Sequence, residues 1–234
     1  MDTFDSFPIE KFTSKSGNIL RNIPENLRTQ MERQMVERTY RKGQNVFLEG
    51  SFPAGIFILR QGMVKKYKTD HQGKEHIISV CAADELLGYS ALLCNEPYPD
   101  SAAAIETSIL GFISKEFFLE TISNSNALMM SLLSSLSHEF GVMVNSINVF
   151  AQMTVRERLA LILLVLTEKF KKNPGNGPVE IILSREDLAS MVGTATETLV
   201  RLLREMKKEG IIDINVRTIT VMKFKELIVM SKFF

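Results

Sequence analysis

The segment Leu183–Gly210, LSREDLASMVGTATETLVRLLREMKKEG, constrains this chain more than any other stretch. Ser184 with Asp187 three residues on is a helix-start signature. Leu188, Met191 and Val192 then form an apolar face, and Gly193 supplies a left-handed stop. A second helix follows at once, capped by Thr194 or Thr196, with Leu199, Leu202, Leu203 and Met206 inward. Two short helices joined by a glycine turn form a helix-turn-helix unit. Beyond it, Ile211–Ile214 and Thr218–Met222 read as two β runs bridged by Asn215-Val216-Arg217, the wing of a winged helix. Thr196, Glu197, Val200 and Arg201 fall on the outer, N-terminal face of the second helix. In the DNA major groove such a face lets Arg grip guanine and Glu accept from cytosine. Helical hairpins with this spacing exist that touch no DNA, but here caps, glycine turn and hairpin occur in order. Arg185, Lys207, Lys208 and Arg217 are the phosphate-contact candidates, adding affinity without sequence information.

Upstream the pattern changes twice. Residues 24–38 read as an N-terminal helix opened by Pro24. From Tyr40, short apolar runs at Asn45–Leu48, Gly55–Leu59, Met63–Tyr67 and His76–Val80 alternate with Gly43, Gly50, Gly62 and Gly73 at expected turns. Asp70–Gly73 reads as a hairpin, and Ala102–Glu106 with Ile109–Ser114 as a further strand pair. Residues 40–114 therefore form an antiparallel β unit of jelly-roll size. Residues 116–152 switch to helical periodicity. Met129, Leu136, Met143 and Phe150 recur every seven residues, with Leu133, Phe140 and Ile147 on an adjacent row. A heptad repeat of that length predicts a helix-helix seam between two copies; the plainer reading is a long helix packed on its own β domain. Thr154 with Glu157 opens another helix, the Asn173–Pro178 segment is a loop, and Pro178–Leu183 is a short strand.

Charge adds a little. Residues 155–234 carry 14 Lys and Arg against 10 Asp and Glu, and the remainder carries 14 against 17, within a net charge of +1. The C-terminal part is thus mildly basic, as a DNA-binding end is. Two cysteines, Cys81 and Cys94, cannot build a disulfide scaffold, and both are expected to be plain buried residues lacking basic neighbours. The start MDTFDSFPIE has no signal-peptide pattern, and the apolar run Leu159–Leu166 is far below the roughly 20 residues of a membrane span. The reading is a cytoplasmic chain with no membrane partner. It is also not an enzyme: His71, His76 and His138 are too scattered for a cupin-type metal site, and no GxSxG elbow, P-loop or dinucleotide fingerprint is present.

The glycine-punctuated β unit, Gly88 followed by Ala91-Leu92-Leu93, the Ser101-Ala102 pair, the long helix, and Gly193…Thr196-Glu197-Thr198…Arg201 together resemble the cyclic-AMP receptor/fumarate-nitrate regulator (CRP/FNR) family of bacterial transcription regulators. The resemblance covers nearly everything after residue 20. It implies an α+β fold: an N-terminal cyclic-nucleotide-binding-type β-roll (residues 1–115), a dimerisation helix (116–153) and a C-terminal winged helix-turn-helix (154–234). It further implies a homodimer on double-stranded DNA, with RNA polymerase as a partner and a hinge near Gln152–Val155. Glu197 and Arg201 take the family's base-reading roles. Thr196, where many members carry Arg, places the chain nearer the fumarate-nitrate branch and implies a TTGA-like half-site in an inverted repeat. The effector-pocket candidates are Gly88, Tyr89, Ser90, Asp100, Ser101 and Ala102. Nucleotide-binding members carry Glu and Arg where this chain has Tyr89 and Asp100, and a carboxylate repels a phosphate. Cyclic nucleotide in the usual mode is therefore not expected. No cysteine precedes Cys81, which excludes the family's N-terminal iron-sulfur cluster. A haem-responsive regulator of the same fold, ligated by His71, His76, Cys81 or a Met, is the alternative for the effector, and a binding module without DNA contact is the alternative for the function.

Overall fold

The computed structural model describes residues 7–171 and 179–232; the loop expected at 173–178 lies outside the described residues. Residue contacts divide the chain into two compact units: residues 14–74 with 78–142, and 143 onward together with 75–77 and the residues up to 13, so that one division falls inside a long helix, between Val142 and Met143.

The first unit is built on β3, Gly55–Gln61. Successive side chains of a strand face opposite ways, and β3 is apolar on both sides. Phe57 and Leu59 face a core shared with Tyr40, Phe47, Val64, Ala102, Ala104 and Leu110. Ile56 and Ile58 face a second core, where Ile19, Met31, Leu92, Phe118, Ile122, Leu128 and Leu132 cover the sheet. Each fully buried residue of this kind contributes roughly 1.5–3 kcal/mol. The other strands are β1 (Val36–Tyr40), β2 (Asn45–Phe47), β4 (Val64–Thr69), β5 (Glu75–Cys81), β6 (Leu86–Leu87), β7 (Ser101–Ala104) and β8 (Ser108–Ser114). They form two four-stranded sheets in the orders β1-β8-β3-β6 and β2-β7-β4-β5. Gly43, Gly50, Gly62 and Gly73 all have positive φ, as turns between such strands require. Helices α1 (Glu25–Gln34), α2 (Tyr89–Cys94), α3 (Lys115–Ser123) and the start of α4 (Asn126–Gln152) complete the layer over the first sheet.

Four expectations need correction. The N-terminal helix stops at Gln34, because Met35 is extended and the next residues pair along β8 from Val36↔Phe112 to Tyr40↔Ser108. The charges of Val36–Tyr40 face solvent, so an edge strand looks helical in sequence. The strands at 102–106 and 109–114 are not a pair: β7 lies between β2 and β4, and β8 between β1 and β3, so the chain crosses from one sheet to the other there. The 116–152 helix is two helices, since Ser125 Oγ accepts the Leu128 amide at 3.2 Å and restarts the chain as α4. Cys94 is exposed, whereas Cys81 is buried as expected.

The second unit centres on α5, Val155–Phe170. Its N-terminus carries the full reciprocal cap of Thr154 and Glu157, and Leu159, Leu161, Leu163, Leu164 and Leu166 are buried. Around it lie α6 (Arg185–Val192), α7 (Thr196–Lys208), α8 (Phe224–Ser231) and a sheet ordered β10-β11-β9 from Ile212–Asn215, Thr218–Val221 and Glu180–Ile182.

Candidate nucleic-acid interface

The helix pair forms where the sequence places it. Ser184 Oγ accepts the Asp187 amide at 2.9 Å and donates to Asp187 Oδ2 at 2.8 Å, starting α6. Gly193 ends it at φ 68°, ψ 51°, and the Gly193 and Thr194 amides donate to Ser190 and Ala189. Glycine is needed there twice over, because a Cβ would also come within 2.9 Å of the Phe150 ring. One detail differs: Ala195, not Thr194 or Thr196, holds the cap position of α7, and no side chain caps it. Thr196 is already helical.

Burial orients α7. Leu199, Leu202, Leu203 and Met206 are buried. The other side carries a shallow hollow of about 320 Å³ lined by Thr196, Glu197, Val200, Arg201 and Arg204. All four base-reading candidates thus share one surface. Arg204 extends it, and the sequence reading missed it although it stands seven residues after Glu197 on the same face. Arg201 Nη1 donates to Glu205 Oε1 at 2.8 Å. Arg204 is exposed and pairs with no group among the described residues.

The phosphate-contact candidates divide. Lys208 and Arg217 are exposed, Arg217 at the wing tip beside Val216, a β-branched residue at φ +53°. Lys207 is committed within the protein: its Nζ donates to Ile214 O at 2.8 Å and meets Asp213 Oδ1 at 2.9 Å. That ammonium, with the Ile214 amide, holds the Asp213 carboxyl below its usual value. Arg185 donates through Nη2 to Val216 O at 3.3 Å, while its buried Nη1 has no hydrogen bond among the described residues. Burial lowers the Arg185 pKa, the Glu186 charge opposing it.

Arg158 had no sequence signal, since an arginine on an amphipathic helix reads as a solvated residue. It donates to Val192 O at 2.8 Å, Met153 O at 2.8 Å and Gly193 O at 3.2 Å, and lies over the Phe150 ring. The end of α4, the start of α5 and the helix-turn-helix turn are thereby joined at one side chain.

Along α4 the seam candidates Met129, Leu133, Phe140, Met143, Ile147 and Phe150 are 46–66% exposed, and Met130 and Val144 are exposed beside them. Leu136 instead turns partly into the first unit's core, and Phe150 also meets Gly193 and Arg158. By length and composition α4 could cross a bilayer; His138, Glu139 and Asn145 along it, and its buried Leu128, Leu132 and Val149, fit packing within protein.

In the β-roll, Gly88 (φ 81°) caps α2, placing Tyr89 in the core, where its hydroxyl lies 3.3 Å from Ser135 Oγ. Burial, together with the Glu139 charge, raises the Tyr89 pKa. Asp100 is buried and pairs with Lys66 Nζ at 3.0 Å. Burial disfavours the Lys66 ammonium, but Asp100, with help from Cys81 and Glu139, raises its pKa overall. Ser101 Oγ accepts the Glu49 amide at 2.9 Å, Ala102 is buried in the β7 pairing, and Ser90 is half-buried.

Two domain families match the chain: the cyclic nucleotide-binding domain over residues 37–125 and the Crp-like helix-turn-helix domain over residues 157–230. The chain belongs to the CRP/FNR family of DNA-binding transcription regulators. It is 28% identical over 198 residues to the fumarate and nitrate reduction regulatory protein of Vibrio cholerae, covering 83% of this chain and 78% of that one. Regulatory protein HlyX of Actinobacillus pleuropneumoniae is 26% identical over 195 residues, covering 82% and 80%. Among solved structures, FixK2 from Bradyrhizobium japonicum superposes with a TM-score of 0.74 at 19% identity, over 86% of this chain and 98% of that one. The expected α+β architecture, with a nucleotide-binding-type β-roll and a winged helix-turn-helix, is the observed one.

Proposed function

We propose that the chain is a cytoplasmic homodimer that recognises an inverted repeat with TTGA-like half-sites and acts on transcription through RNA polymerase, without enzymatic activity. The observation that carries this is the one surface shared by exposed Glu197 and Arg201 with half-buried Thr196 and Val200 on α7, opposite that helix's buried leucines. Arg201 grips guanine, Glu197 accepts from cytosine, and Val200 offers an apolar contact to a thymine methyl. Lys208, Arg217 and Arg204 supply phosphate contacts; Lys207 and Arg185 brace the wing. The apolar stripe of α4 joins two copies, because alternate steps of four and three residues keep Met129 through Phe150 on one seam. Two recognition helices then address sites about 34 Å apart, one DNA turn.

In the β-roll the buried Asp100, paired with half-buried Lys66, stands among the effector-pocket candidates, and an anionic phosphate would have to displace a carboxylate there. Cyclic nucleotide in the usual mode is not its ligand on this reading. Fluorescence anisotropy of ligand-free protein tests the proposal, using a TTGA-type inverted-repeat duplex against a scrambled duplex at fixed moderate salt. Tighter binding to the repeat, unchanged by added cyclic AMP, is expected. Equal binding to both duplexes would reject the half-site assignment.

A further inference from the structure

Arg201 does not stand alone on α7. Its Nη1 donates to Glu205 Oε1 at 2.8 Å, one helical turn on. The other Glu205 oxygen faces Arg156 Nη1 on α5 at 3.6 Å. Arg156 in turn reaches both Glu209 oxygens through Nη2, at 2.7 and 2.5 Å. A chain of alternating charges therefore runs from α5 to the outer face of α7 and ends on the arginine assigned to guanine. Arg204, one turn along the same face, has no such brace among the described residues.

We infer that Glu205 is a positioning residue that sets the specificity of DNA recognition by aiming the Arg201 guanidinium. This rests on Arg201 reading a base. An exposed pair at i,i+4 adds little to stability, so the pair's effect lies in orientation. Arg201 is 64% exposed and carries several freely rotating bonds. One carboxylate oxygen occupies one of its five N–H donors; Nε and Nη2 remain as a fork for guanine O6 and N7. Arg156 holds the opposite oxygen, so Glu205 cannot simply follow Arg201 as it swings. An acid so near DNA costs affinity for every sequence through repulsion of phosphate. Its removal therefore moves general affinity and discrimination in opposite directions.

The test is Glu205→Gln, which keeps the shape and removes the charge, measured by anisotropy on the TTGA-type repeat and the scrambled duplex. Scrambled-duplex affinity is expected to rise, while the ratio of repeat to scrambled affinity falls about threefold or more, part of the discrimination a bidentate arginine carries. Glu209→Gln removes an equal charge from the same Arg156 cluster without touching Arg201, and should leave the ratio unchanged. In an Arg201→Ala background, Glu205→Gln should not move the ratio further. A rise in both affinities at constant ratio would overturn the inference, reducing Glu205 to net charge. A ratio that still falls in the Arg201→Ala background would overturn it too, by showing an effect through the fold. Wild-type protein that binds both duplexes equally would overturn the base-reading assignment and this inference with it.

Discussion

On α7 the polar groups with chemistry to offer, Glu197, Arg201 and Arg204, are exposed and share one surface. In the β-roll the corresponding candidates are spent inside the fold: Asp100 on Lys66, Tyr89 against Ser135, Ser101 on the Glu49 amide. The first arrangement suits a ligand that arrives from solvent with its own charge and takes the place of water. The second has already satisfied its buried groups, so an incoming ligand must first break bonds in a region of low dielectric, where each broken bond is costly. The same chain thus holds exposed polar candidates on α7 and internally paired ones in the β-roll. A shared family fold does not make both sites available.

The sharpest way to break this contrast is at the open surface. Glu197→Ala combined with Arg201→Ala removes the two proposed base contacts, worth about 1–3 kcal/mol each, so affinity for the repeat should fall at least about 30-fold. Scrambled-duplex binding and the elution volume should stay as in wild type. Retained preference would show that α7 is not the reader.

In the β-roll the effect should appear in stability instead. Asp100→Ala strands the Lys66 ammonium, on a side chain that is 28% exposed. The expected loss is about 2–3 kcal/mol, somewhat under the range for fully buried pairs, read as a lower urea midpoint. Replacing both partners, Lys66→Met with Asp100→Leu, should recover most of it. If Asp100→Ala costs nothing, the pair is not closing the site.

Smaller effects belong to the second unit. Glu157 is pulled down to about 2 by Lys232 and by the amide and hydroxyl of Thr154. A depressed carboxyl stabilises the fold above its usual value of 4.5 and loses that contribution as pH falls toward 2. Removing the cap with Thr154→Ala should cost about 1 kcal/mol at neutral pH, and thermal melts should show that cost shrinking below pH 4. The smallest change is a gain: Val216→Asn at the wing tip relieves a β-branched residue from positive φ and should stabilise by about 0.5 kcal/mol. A loss there would mean that the Val216 side chain packs better than its exposure suggests.

Much of the second unit was legible because its signals are local. Ser184, Gly193 and Thr154 act on atoms within five residues of themselves, and the observed caps follow them. The cap of α7 failed for the same reason, since Thr194 and Thr196 offered equivalent local solutions and the backbone used Ala195 between them. In the first unit the sequence marks where strands turn but not which strands meet. β7 and β8 are neighbours in sequence and belong to different sheets, and the edge strand Val36–Tyr40 carries helical-looking charges.

Periodicity and capping, which depend on neighbours a few residues away, determined from sequence alone that this chain has a winged helix-turn-helix, an apolar-striped long helix and a glycine-turned β unit. Three features were decided only by the tertiary structure: the pairing of Lys66 with Asp100 in the β-roll, the joining of three segments at Arg158, and the contact of Glu205 with Arg201. The first two join groups from separate segments, and in the third Glu205 also meets Arg156 on α5; such partner choice is set by distance and burial across the fold, which periodicity along the chain does not encode.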